Sequence, residues 1–155
     1  MNYGLVRSDH ARDFARSVCD VLGRGKNNMA EPMLLETSAQ ETHLGRFRDR
    51  TPYGAGTGLC QIDLIAFEDI KARTRDKHKQ AILEVFSIDL DKVEYRELEY
   101  SPLLSFIFCR LHYKLIPDEI PKSLEGRADY WKKFYNTSAG KGSAEEYIEN
   151  AHRYL

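Results

Sequence analysis

The chain has 155 residues, 42% hydrophobic and 30% charged, enough for one compact domain with its own core and too few for two ordinary ones. Its 23 basic and 24 acidic residues leave a formal charge of −1, which excludes a whole-molecule field that would draw it to nucleic acid or an anionic membrane. No apolar run approaches the roughly eighteen residues of a membrane span, since the longest cluster, residues 103–108, is interrupted by Ser105.

Residues 8–22 read as a first helix. Ser8 stands where a cap is wanted, Ala11, Phe14, Ala15, Val18 and Leu22 recur at helical spacing, and Gly23 ends the run. A second helix is expected from about Pro32 through Leu34, Leu35 and Ala39 to Thr42, with Gly45 as its stop. Residues 46–57 are rich in turn formers, Pro52, Gly54 and Gly56 among them, and predict a loop or short hairpin at the lip of a cleft. Helical spacing resumes from Leu59 to about Arg73, and a further helix is expected over residues 75–86. The basic cluster of residues 71–79 reads as a solvated face. Residues 88–100 fit either a short strand or a linker between helices. Ser101-Pro102 opens a helix to about Leu115 that is apolar on nearly every side and so belongs at the centre. A helix over residues 127–135 follows, and Ser143 with Glu146 forms a capping-box pattern that starts the last helix. The fold class is therefore mainly α in one domain, residues 1–155, with at most a small hairpin.

Cys19, Cys60 and Cys109 share no close spacing, which argues against a disulfide framework or a zinc site and for buried thiols. The five histidines show no metal-ligand spacing, and the alternation Gly54-x-Gly56-x-Gly58 lacks the Gly-Lys-Ser/Thr ending of a phosphate loop. No metal or organic cofactor is implied. The N-terminal residues carry no apolar signal-peptide core, which reads as a chain made in the cytoplasm.

The chemistry concentrates in residues 40–63. Glu41 falls in the last turn of the second helix, where the partial negative charge of the helix end favours a protonated carboxyl, and Leu44 and Phe47 are placed to add desolvation. A carboxyl so biased suits a general acid at the wall of a cleft, and the glycines that follow allow an extended substrate close to the backbone.

Glu41-Thr42-x-x-Gly45 followed by Gly58-Leu59-Cys60-Gln61-Ile62 resembles the E-S-x-F and G-L-M-Q-I pair of the soluble lytic transglycosylases, in the lysozyme-like superfamily. Tyr135-Asn136, leading to Gly140 and Gly142, is similar to the third motif of that family, Y-N-A-G. Thr42, Cys60 and Thr137 depart from its usual Ser, Met and Ala. The resemblance spans residues 36–63 and 130–149, and short divergent forms of this kind are similar to bacteriophage muralytic proteins.

The resemblance implies a lysozyme-like domain that cuts the β-1,4 bond between N-acetylmuramic acid and N-acetylglucosamine in peptidoglycan strands. Glu41 would be general acid and base, with the sugar's own six-hydroxyl as nucleophile. Glu36, in Leu35-Glu36-Thr37-Ser38, competes for that role. Asp49, eight residues after Glu41, would supply a second carboxylate for a hydrolytic muramidase, or else pair with Arg46, Arg48 or Arg50. Tyr135 would set its phenol near the glutamate, or else serve as an amphipathic core residue. Gln61 and Gly58 would meet substrate or fix the glutamate loop, and Tyr53, Tyr130 and Trp131 would stack on sugars or join the core. Asn136 would meet substrate or shape a turn. The expected partners are glycan strands and a virion or delivery apparatus that carries the protein to the wall; a weakly catalytic, glycan-binding component is the competing expectation.

Overall fold

The computed structural model describes residues 1–49, 55–136 and 140–155. Seven α-helices are present among them: α1 (Ser8–Leu22), α2 (Ala30–Thr42), α3 (Leu64–Arg73), α4 (Asp76–Phe86), α5 (Pro102–Lys114), α6 (Leu124–Trp131) and α7 (Ala144–Tyr154). Two 3₁₀ turns, Leu90–Lys92 and Tyr95–Tyr100, connect α4 to α5, and a π-helical turn, Lys132–Asn136, extends α6. The described residues contain no sheet, only the isolated antiparallel bridge Thr57–Ile62. The domain is mainly α, as the helical periodicity predicts.

The core forms around α5, whose Phe106, Ile107, Phe108 and Cys109 are fully buried. A helix apolar all round has no face to give to water and is forced inside. It packs against α1, α2 and α3, and α2 in turn lies against α1 and α7. Ser101 caps α5 by accepting the Leu104 N–H at 3.1 Å, one residue before Pro102, whose missing N–H costs nothing in a first turn.

Four boundaries differ from the sequence reading. Helix α6 starts at Leu124, three residues before the expected 127, and passes into the π-helical turn after Trp131. Ser8 is already inside α1; its cap position is Arg7, without a side-chain cap, and Arg7 pairs instead with Asp9. Helix α2 starts at Ala30, two residues before Pro32. Helix α3 starts at Leu64, capped by Asp63, whose carboxylate accepts the Ala66 N–H at 2.7 Å. Residues 59–62 are a turn, because their backbone groups are claimed by side chains from elsewhere in the chain, as set out below. Residues 88–100 resolve the strand-or-linker alternative as a linker of two 3₁₀ turns.

Candidate active site

Glu41 lies in the last turn of α2, and the chain reverses directly after it. His43, Leu44 and Gly45 all adopt left-handed backbone, at φ 50°, 54° and 83°. The His43 and Leu44 N–H groups return to the carbonyls of Ala39 and Ser38 at 3.0 and 3.1 Å, closing the helix end in a Schellman arrangement. Two successive non-glycine residues in this region cost of order 1 kcal/mol each. The reversal thus begins two residues before Gly45, the expected stop.

Thr42 joins this helix end to the Gly58–Ile62 turn. Its buried hydroxyl sits 2.8 Å from the Leu59 carbonyl and 3.1 Å from that of Ser38, and accepts the Gly45 N–H at 3.2 Å. The turn is pinned by four other side chains. Glu99 accepts the Gly58 N–H at 3.1 Å, and Ser105 on α5 accepts the Leu59 N–H at 3.2 Å while donating to Leu98. The Tyr95 hydroxyl donates to the Ile62 carbonyl at 2.7 Å, and the Tyr135 hydroxyl donates to the Cys60 carbonyl at 2.5 Å. Buried backbone groups need partners, and here side chains from five separate places in the sequence supply them. Gly58, at φ 82°, is turned inward: a Cβ there would stand 2.3 Å from the Leu98 carbonyl oxygen and 2.6 Å from the Ser105 hydroxyl. Gln61, also left-handed at φ 50°, bonds within the turn, from its side-chain amide to the Gly58 carbonyl at 3.0 Å.

The Glu41 carboxyl is half-buried in the angle between α2, this turn and the end of α6. Among the described residues its hydrogen bond comes from the indole of Trp131, Nε1 to Oε1, at 3.1 Å. Cys60, Tyr113 and Tyr135 are close enough to sense its charge, and none of them is a cation. Burial therefore dominates and pushes the Glu41 carboxyl up to about 7, with the Trp131 bond opposing it. Leu44 is buried, but Phe47 is exposed and lies against His43, so the expected apolar cover comes instead from the aromatic residues of α5, α6 and the π-helical turn.

Tyr135 stacks on Tyr113 with ring centroids 5.3 Å apart, and its ring also meets His112. The π-helical turn re-aims its side chain toward Cys60, a use to which such turns are often put. Asn136 shapes the end of that turn, accepting from the Lys132 ammonium at 2.7 Å. Tyr130 and Trp131 belong to the core: Trp131 is fully buried against Tyr147, and the Tyr130 hydroxyl donates to the Asp118 carbonyl. His43 points away from Glu41 and stacks on Tyr154 at 4.8 Å. The Asp49 backbone N–H donates to the Tyr3 hydroxyl at 2.8 Å. Tyr53 and Thr137 lie outside the described residues.

Glu36 occupies a different face of α2. Five residues separate it from Glu41, a rotation of about 140° on a helix. It is 3% exposed and held by Arg127, whose Nε donates to both carboxylate oxygens at 2.5 and 3.0 Å. Burial raises its pKa and the Arg127 bond and charge lower it. Both residues line a cavity of about 460 Å³ with Leu35, Leu124 and Arg12, and neither Glu41 nor Trp131 reaches its wall. Glu36 reads as half of an internal ion pair.

Glu99 and Ser105 were not legible as site residues, and Trp131 reads from sequence as a sugar-stacking or core residue, not as a partner of Glu41. Nothing local in the sequence marks Trp131 as a donor to Glu41, ninety residues away, although an indole N–H in a core needs an acceptor, and that rule is the one signal available. The described residues contain no cluster of His, Cys, Asp and Glu able to hold a metal ion. No protein-family model, curated protein or solved structure matches this chain.

Proposed function

We propose that the protein cleaves the β-1,4 glycosidic bond of peptidoglycan strands as a lytic transglycosylase, with Glu41 as the single general acid and base. The observation that carries this reading is the Glu41 carboxyl: without a cationic neighbour among the described residues, poised near 7, and fixed by Trp131 beside the glycine turn. A carboxyl with that pKa exists in both forms at neutral pH, which suits a group that must first give a proton and then take one. In its acid form it protonates the glycosidic oxygen as the C–O bond breaks. In its basic form it takes the proton of the muramic acid six-hydroxyl as that oxygen bonds to the anomeric carbon, giving a 1,6-anhydro product.

The resemblance of Glu41-Thr42, Gly58–Ile62 and Tyr135-Asn136 to three family motifs supports this reading, and the structure gives the three segments a common reason to stay together. Thr42 bonds the second segment, and Tyr135 of the third bonds the same turn one residue on. The motifs resembled are those of enzymes that work with a single glutamate, so a one-carboxylate mechanism is preferred to hydrolysis by a pair. Delivery by a virion or secretion apparatus is part of the proposal, as is the phage relationship.

The test is release of soluble fragments from dye-labelled peptidoglycan by the wild type, Glu41→Gln and Glu36→Gln. Loss of a general acid costs about 10²–10⁴ in rate. Glu41→Gln is expected to lose that much, while Glu36→Gln, assayed below its lowered melting temperature, keeps most of its activity. Full activity in Glu41→Gln removes the centre of the proposal.

A further inference from the structure

The geometry points to a binding site for a small multivalent phosphate anion in the concavity between the start of α4 and the end of α5, lined by Arg75, Lys77, His78 and Lys114. It does not rest on the glycan-cleaving reading and uses none of the residues around Glu41.

The concavity has a volume of about 430 Å³, ample for a phosphate or pyrophosphate group. Its wall is completed by Arg73, Thr74, Leu111 and Leu115, and no acidic side chain belongs to it. Arg73 is held by Asp69 at 3.0 Å. Among the described residues none of Arg75, Lys77, Lys114 and Arg110 forms an ion pair. In a chain with net charge −1, that is a local concentration of positive charge; the carboxylate that reaches Lys114 and Arg110 is Glu119, which is outside the wall and shared with Lys26 at 3.8 Å.

The charges also converge. A solvated basic face on one helix points its side chains apart, into water. Here the groups come from two helices, and Lys114 is drawn inward, its ammonium donating to the Leu22 carbonyl at 3.0 Å. One turn back on α5, Arg110 is 4% exposed, with Nε on the Gly23 carbonyl at 2.9 Å. Those two bonds cap the end of α1 and account for the placement of Arg110 and Lys114. They do not account for the approach of Arg75, Lys77 and His78 from α4. Burial, then the charges of Lys114, Lys77, Arg75 and Arg110, hold the His78 imidazole down at about 4. Burial and the same neighbours lower Lys114. The wall includes the N-terminal end of α4, where Arg75 supplies no side-chain cap and the helix dipole favours an anion. Asp76, the carboxylate of that first turn, is exposed and lies outside the wall.

An anion seated there would relieve the mutual repulsion of Arg75, Lys77 and Lys114 at once, and His78 reports it directly. The experiment is titration of the full chain with pyrophosphate at low ionic strength, followed by the His78 ring resonances and by calorimetry. Saturable binding is expected, with the His78 pKa moving up by about one pH unit or more as the anion offsets its cationic neighbours. The exposed double variant Arg75→Gln/Lys77→Gln, which disturbs no buried bond, should weaken binding by about 10-fold or more, whereas Arg12→Gln, on the far cavity, should not change it. Lys114→Met should weaken it as well, with circular dichroism confirming the fold. Binding no stronger than that of chloride, binding unchanged in the double variant, or binding seen only with a long oligonucleotide and not with pyrophosphate each overturns the site.

Discussion

Replacing Glu41 with Gln should stabilise the protein at alkaline pH while removing its proposed activity, and the size of the gain follows from the site. The folded-state pKa of Glu41 is raised from an ordinary value of 4.5 to about 7 by burial. The sign is fixed by linkage: below 4.5 the carboxyl is protonated in both folded and unfolded chains and nothing is lost. As pH rises from 4.5 toward 7 the unfolded chain releases its proton first, so folding stability falls, and above 7 the full penalty of a charged, poorly solvated carboxylate is present. The distance between the two values corresponds to about 3 kcal/mol, and because the residue as a whole is only half-buried the expected penalty is about 1–3 kcal/mol. Gln keeps an oxygen for the Trp131 indole and cannot ionise. Urea unfolding of both proteins at pH 4.5, 6 and 8.5 should therefore give equal stabilities at the lowest pH. At the highest, Glu41→Gln should be about 1–3 kcal/mol more stable, or roughly 3–10 °C in Tm. Other titrating groups cancel in the difference. A difference that is flat with pH, or a variant less stable at pH 8.5, would refute the reasoning.

Trp131→Phe removes the hydrogen bond that holds the Glu41 pKa down, so the alkaline limb of the rate profile should move to higher pH, seen in peptidoglycan release assays from pH 5 to 9. Thr42→Val leaves the Leu59 carbonyl without its partner and should cost about 1–3 kcal/mol by urea unfolding, whereas Thr42→Ser should cost less than half of that. Gly58→Ala forces a left-handed alanine whose Cβ meets the Leu98 carbonyl, and a loss of about 3 kcal/mol or more is expected from thermal melts. Glu36→Gln leaves the buried Arg127 without its counter-charge and should cost about 3 kcal/mol, measured in the same way.

Helix positions were legible wherever one amphipathic or wholly apolar pattern decided them. The first helix ends at Leu22 as its stripe and Gly23 require, α5 is central because it has no polar face, and Glu41 falls in the last turn of α2. The segment 59–62 shows where such reading stops. Leu59 and Ile62 fit helical spacing, but the Gly58 and Leu59 N–H groups are taken by Glu99 and Ser105, more than forty residues away, and the backbone turns to meet them. The same limit hid Trp131, since its link to Glu41 exists only once α6 folds back beside α2. Glu36 and Glu41 carry nearly the same local sequence signal. What separates them is the 140° rotation between their faces, which turns one to Arg127 and the other to an indole and a thiol-lined turn.

The most direct test of the central claim is a mass spectrum of the muropeptides that the wild type, Glu41→Gln and Asp49→Asn release from purified peptidoglycan. The account predicts 1,6-anhydro-muramyl ends from the wild type and from Asp49→Asn, and none from Glu41→Gln. Reducing ends lost in both variants would assign a two-carboxylate hydrolase instead. A folded wild type that binds glycan and releases nothing would contradict catalysis altogether.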